Sequence, residues 1–178
     1  MSACGAVQSQ EVATPTPAAQ TGADLFDPAV ALATPIAGVT TYENLSRDHT
    51  KDPVTYPQSP PVGGAHDPSW QRCKVYDAPI KNEHAVHSLE HGAVWITYQP
   101  DLPEADRAVL ANLVDGKAYL MMSPYPGQDA PVIVTAWGAQ LRLDDVNDPR
   151  LAEFISRYAG NGPEPGANCD SGVEETVK

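Results

Sequence analysis

Asn82-Glu83-His84-Ala85-Val86-His87-Ser88-Leu89-Glu90-His91-Gly92 reads as a short helix that feeds directly into a strand. Asn82 is a plausible N-cap and Gly92 a left-handed stop. His87 and His91 are four residues apart. At about 100° per residue they lie roughly 40° apart on one face, one turn along the axis. That spacing lets one helix offer two imidazoles to one metal ion. The competing reading is a pair of structural histidines near a helix C-terminus, where the dipole favours positive charge. The run that follows, Ala93-Val94-Trp95-Ile96-Thr97-Tyr98, is nearly continuous in apolar residues, predicts a buried central strand and ends at Pro100.

Downstream, the punctuation is regular. Asp101 and Pro103 open a second helix with an apolar stripe through Ala105, Val109, Leu110 and Leu113, closed by Gly116. Ala118–Met122, Val132–Trp137 and Gln140–Leu143 read as strands. Asn147-Asp148-Pro149 caps a last helix with a stripe of Leu151, Phe154, Ile155 and Tyr158, and Gly160 stops it. The tail from Asn161 is Gly-, Pro- and acid-rich, with Cys169 as its one expected tie. The order predicts an α+β fold: a single domain with a small, mostly antiparallel sheet and helices packed on one side of it.

Upstream, residues 1–23 are mostly Gln, Ala, Thr, Pro and Ser, too polar to order themselves. Residues 24–48 are richer in apolar groups, with Leu25, Phe26, Val30, Leu32, Ile36 and Val39. The expected organisation is a disordered lipoprotein-type tether over 1–40, a metal-binding domain over 41–170 and a flexible tail over 171–178. Met1-Ser2-Ala3-Cys4-Gly5 resembles the end of a bacterial lipoprotein signal, so a lipid anchor on Cys4 and an extracytoplasmic location, periplasm or cell surface, are expected. There, Cys73 and Cys169 are free to pair; in a reducing compartment they stay thiols.

The 178 residues carry a formal net charge of −12 and 42% hydrophobic residues. That suits one core and disfavours binding to nucleic acid or to an anionic membrane surface. No apolar run reaches the length of a membrane span.

All five histidines fall between residues 49 and 91. His66 ends the loop Pro57-Gln58-Ser59-Pro60-Pro61-Val62-Gly63-Gly64-Ala65-His66, a segment costly to order without packing, a metal or a ligand. Met121 and Met122 face opposite sides of their strand, so one thioether is in reach of the helix if that strand pairs beside 93–98. The expected ligands are His66, His87 and His91, with Met122 or His49 completing the set. Imidazoles plus a thioether favour copper, with zinc as the alternative. The expected function is capture or delivery of copper, or resistance to it. The expected partners are the metal ion and another copper protein or a cuproenzyme. His87-Ser88-Leu89-Glu90-His91 also matches the inverted zinc-peptidase motif His-x-x-Glu-His. That would make the chain a zinc-dependent hydrolase with Glu90 as general base, but the motif needs a third ligand, commonly a later acid. Glu90 is otherwise a partner orienting an imidazole.

Several of these motifs recur in one order: Tyr56 with Ser59-Pro60-Pro61-Val62-Gly63-Gly64-Ala65-His66, then His87-Ser88-Leu89-Glu90-His91-Gly92-Ala93-Val94, Ser123-Pro124-Tyr125-Pro126, Thr135-Ala136-Trp137-Gly138 and Gly162-Pro163-Glu164-Pro165-Gly166-Ala167-Asn168-Cys169. Over about residues 45–170 the chain thereby resembles the bacterial domain-of-unknown-function family DUF3105, whose members look like secreted, membrane-anchored or lipoprotein domains. Members typically carry Pro-Pro-x-Ser-Gly-x-His; here Gly63 stands at the Ser position. The resemblance implies that His49, His66, His87 and His91 occupy motif positions and that His84 is incidental. It implies no activity.

Overall fold

The apolar run after the histidine stretch forms a strand, Val94–Tyr98 (β2), with every residue buried. Its neighbours follow from the hydrogen-bond ladders. It pairs in parallel with Leu120–Pro124 (β3) and antiparallel with Val132–Ala136 (β4). The latter pairs with Ala139–Leu143 (β5), which carries the two-residue edge strand Thr40–Thr41 (β1). The sheet order is β1-β5-β4-β2-β3, mostly antiparallel, as expected. This is a computed structural model that describes Met1 and residues 34–164 and 166–177. The expectations placed on residues 2–33, including the anchor on Cys4 and most of the tether, lie outside the described residues.

Parallel neighbours cannot be joined by a tight turn, so β2 and β3 are connected through the helix Glu104–Val114 (α2). The histidine stretch forms Asn82–Glu90 (α1), and Pro149–Tyr158 is α3. Asp148 caps α3 by accepting from the Arg150 N–H at 2.9 Å. At α1, Lys81 rather than Asn82 is the N-cap, and no side chain caps it.

The helices do not share one side of the sheet. Val94, Ile96, Met122, Val134 and Leu141 face α2 and α3 through Leu110, Val114, Leu151 and Phe154. Trp95 and Met121 face the other way, onto Ala85 and Leu89 of α1, with Tyr76, Ile80 and Cys169. The expectation of one-sided packing fails because α1 lies in a separate layer, built with Tyr76, Ile80 and Cys169. A nearly continuous apolar strand has two buried faces and needs cover on both.

Ile36 is buried in the α2/α3 core, so the domain starts before the expected boundary at 41. The tail is also more ordered than its composition implies. Cys73 and Cys169 form a disulfide, with Cα atoms 5.2 Å apart. Beyond it, Arg72 N–H donates to Val173 O and Val173 N–H to Trp70 O, both at 2.8 Å, and Val177 N–H donates to Pro79 O at 2.8 Å. The expected flexible tail is thus laid along the segment 70–79.

The end of α1 is a close backbone crossing. Gly92 has φ +93° and donates its N–H to Leu89 O. A Cβ there would sit 2.8 Å from the Gly162 nitrogen. Gly160 N–H in turn donates to Gly92 O at 2.9 Å. A side chain at residue 92 would therefore be excluded both by conformation and by the tail backbone.

Candidate metal centre

Three elements converge at the C-terminal half of α1. The helix supplies His87, Glu90 and His91, the last as its C-cap with its N–H donating to His87 O. The proline-rich loop supplies His66. A Cβ at Gly63 (φ +146°) would sit 2.7 Å from Leu45 Cδ1 and 3.3 Å from the Trp137 ring, so glycine lets the loop pass under both. The third element is the extended segment at Asp48–Thr50. Its backbone pairs with the loop, Thr50 N–H donating to His66 O at 2.7 Å and His66 N–H to Asp48 O at 3.0 Å. That pairing sets His49 beside His66.

The ring centroids of His49, His66 and His87 are each 4.8 Å from the other two, and His87 and His91 are 4.6 Å apart. His66, His87, His91 and Glu90 are buried, whereas the His49 side chain is about half exposed. Trp70 lies over His87 and His91, and Trp137 meets His66 edge-on.

The hydrogen bonds determine which ring nitrogen is free. His66 Nδ1 lies 2.8 Å from Gly64 O, His87 Nδ1 2.7 Å from Asp67 O and His91 Nδ1 2.8 Å from Asn168 O. A carbonyl oxygen only accepts, so Nδ1 carries the proton in all three rings. In the neutral ring Nε2 is then a bare lone pair. Backbone carbonyls hold metal-ligating imidazoles in this tautomer in metal sites generally. His66 Nε2 is buried and makes no hydrogen bond, although Glu90 Oε2 lies 3.1 Å away. A buried polar atom left in that state calls for an unseen partner.

Two groups of ligand atoms result. His49, His66, His87 and Glu90 each offer one atom within 4.8 Å of all the others, and so do His87, His91 and Glu164. His49 Nε2 and Glu90 Oε2 are 3.8 Å apart, somewhat more than the roughly 3.4 Å between ligand atoms of a tetrahedral nitrogen site, so these side chains must close in on binding.

Charge is balanced locally. Arg47 Nε donates to Glu90 Oε1 at 2.5 Å. Burial alone would push the Glu90 carboxyl up, but the Arg47 hydrogen bond, the neighbouring His66 and the Arg47 charge outweigh it and hold the group below its ordinary value. His87 is pushed down to about 4, chiefly by burial, with further lowering from the charges of His91, His66 and His49 and an opposing effect of the Asp67 carbonyl. An unfolded chain protonates this ring near 6.5. Between those values the unfolded state binds the extra proton, so stability is complete above the upper one and falls with pH towards the lower. At 1.36 kcal/mol per pH unit the loss reaches about 3 kcal/mol. Thermal midpoints of metal-free protein should therefore drop from about pH 7 to about pH 4, and a His87→Gln variant should show a flatter profile.

Of the sequence-predicted ligands, His49, His66, His87 and His91 come together. Met122 does not join them. The parallel register pairs Met122 with Ile96 and Met121 with Trp95, so Met122 faces α2 and α3, away from α1. His84 stands apart, its Nε2 3.6 Å from Asp67 Oδ2. Sequence reasoning missed Glu164, whose Oε2 is 3.4 Å from His91 Nε2. The requirement of the His-x-x-Glu-His motif for a later acid was the available signal.

Residues 48–171 match the family described as Protein of unknown function (DUF3105). No curated protein and no solved structure matches the chain. The matched span holds all four clustered histidines, Glu90, Glu164 and both bonded cysteines, and on that span the chain belongs to the DUF3105 family.

Proposed function

We propose that this chain is an extracytoplasmic metal-binding protein that holds one transition-metal ion, Cu(II) by preference, on the imidazoles of His49, His66 and His87 with His91 at hand. The observation that carries this reading is the set of three buried rings, each locked by a backbone carbonyl at Nδ1. Three such locks leave three Nε2 lone pairs free, and that of His66 is buried with no hydrogen bond to satisfy it, which packing alone does not account for. Among the described residues the two groups hold nitrogen and oxygen ligands and no sulfur. Without the Met122 thioether the case for Cu(I) weakens, and the Irving–Williams order favours Cu(II) over Zn(II). The disulfide supports an oxidising compartment. Within it the role is capture of copper or its delivery to another copper protein or a cuproenzyme.

The test is a titration of metal-free protein with Cu(II) and with Zn(II), read by tryptophan emission and by equilibrium dialysis. One ion per chain, bound more tightly as Cu(II), is the expected result. Weak, non-saturating uptake of both metals would reject a defined site.

Glu164 favours a second reading, a zinc hydrolase, because it provides the third ligand that the helical motif requires. Glu90 would be the base, yet it is engaged by Arg47. Peptide hydrolysis by zinc-loaded wild type, lost in Glu90→Gln with zinc retained, would select this alternative.

A further inference from the structure

The two ligand groups meet at a single side chain. His87 belongs to both, but only one of its nitrogens is available, because Nδ1 is spent on the Asp67 carbonyl at 2.7 Å. One lone pair binds one ion. We infer that the protein holds its ion in two mutually exclusive positions that share His87: an inner one with His49, His66 and Glu90, and an outer one with His91 and Glu164 through which the ion enters and leaves. This deepens the metal-binding reading and rests on it.

Each group has one half-exposed member, His49 at 48% in the inner one and Glu164 at 47% in the outer, so the two positions differ in which kind of group meets the solvent and in the state of their carboxylates. The inner carboxylate, Glu90, has a side chain only 3% exposed and is already hydrogen-bonded by the Arg47 guanidinium. A cation arriving there first would meet a carboxylate whose charge is largely cancelled. The outer carboxylate, Glu164, is 47% exposed, and its Oε2 lies 3.4 Å from His91 Nε2. A half-solvated carboxylate attracts a hydrated cation and exchanges water for it at small cost. Once bound between His91 and Glu164, the ion already shares His87 with the inner group. Moving inward exchanges His91 and Glu164 for His66 and His49, with His87 attached throughout. The inner set offers three imidazoles against two, which suits Cu(II) better.

Glu164 is also placed by the same crossing that ends α1. Its N–H donates to Glu90 O at 3.1 Å, and Asn168, a few residues on, supplies the carbonyl that orients His91. The outer position therefore exists only where the tail is laid against the helix.

Rapid mixing of the full chain with Cu(II) chloride in glycine buffer, followed by tryptophan emission, tests the route. Trp70 is 5.6 Å from His87 and 5.1 Å from His91 by ring centroid and reports arrival. Glu164→Gln is expected to slow association and dissociation together, each by about tenfold, as befits a residue on the path. In a His66→Ala background the ion is confined to the outer position. There Glu164→Gln is expected to weaken equilibrium binding by about a further tenfold, more than it does in otherwise wild-type protein. Two tightly bound ions per wild-type chain would overturn the exclusivity. Wild-type association rates in Glu164→Gln protein, or equal losses of affinity in both backgrounds, would overturn the outer position. Neither result would touch metal binding itself, which fails only if the wild-type chain has no saturable site; two ions would change its stoichiometry alone.

Discussion

Replacing His87 with alanine is expected to abolish defined metal binding outright, a larger loss than any other single histidine change. Removing His49 or His66 leaves the outer group intact, and removing His91 leaves the inner one. Removing His87 takes a ligand from both. The measurable consequence is thermodynamic. An ion bound only by the folded state at about a hundredfold excess over its Kd stabilises by about 2.7 kcal/mol. For a domain of this size that raises Tm by roughly 5–10 °C. The shift should be present in wild type and absent in His87→Ala. The substitution also leaves the Asp67 carbonyl without its donor at a buried position, at a cost of about 1–3 kcal/mol. The comparison must therefore be of metal-induced shifts, each against its own metal-free baseline. His84→Ala is the control: it sits on the same helix and lies outside both groups. An undiminished shift in His87→Ala protein would remove the shared ligand from the account.

The second large effect concerns the tail. A Cys73→Ala/Cys169→Ala variant is expected to lose about 4–5 kcal/mol of stability, because the bond closes a loop with a sequence separation of 96. Urea unfolding read by circular dichroism measures this directly. The same variant should bind metal about tenfold more weakly, since orienting partners of ligating histidines contribute on that scale. The route is short: Cys169 follows Asn168, whose carbonyl holds His91 Nδ1, and Cys73 N–H donates to Cys169 O at 2.9 Å. A loss under about 1 kcal/mol would mean that the remaining hydrogen bonds of residues 167–177 hold the tail alone.

Much of the fold was legible because local patterns carried it. The run Ala93–Tyr98 reads as a buried strand, and it differs from the observed Val94–Tyr98 by one residue. Asp148-Pro149 marked the start of α3 through a cap and a pre-set φ, both local effects. The α1 spacing put His87 and His91 on one face for the same reason. Errors arose where the answer depended on which side of the sheet a residue faces. Alternation says that Met121 and Met122 point oppositely, but only the parallel register with Trp95 and Ile96, and the layer to which α1 belongs, say which one points where.

The tail shows the same divide. Its Gly, Pro and acidic content argued for disorder, and that inference is sound for a segment left to itself. Here its backbone groups bond to Glu90, Trp70, Arg72, Cys73 and Pro79, partners distant in sequence.

By itself, the sequence determined the elements, the mixed α+β class and the imidazole pair on one helical turn, because these follow from side-chain periodicity and capping over a few residues. Only the tertiary structure decided that His49 and His66 join that pair, that Met122 does not, and that Glu164 reaches His91. Those outcomes depend on contacts between residues far apart in the chain, whose distances no local pattern encodes.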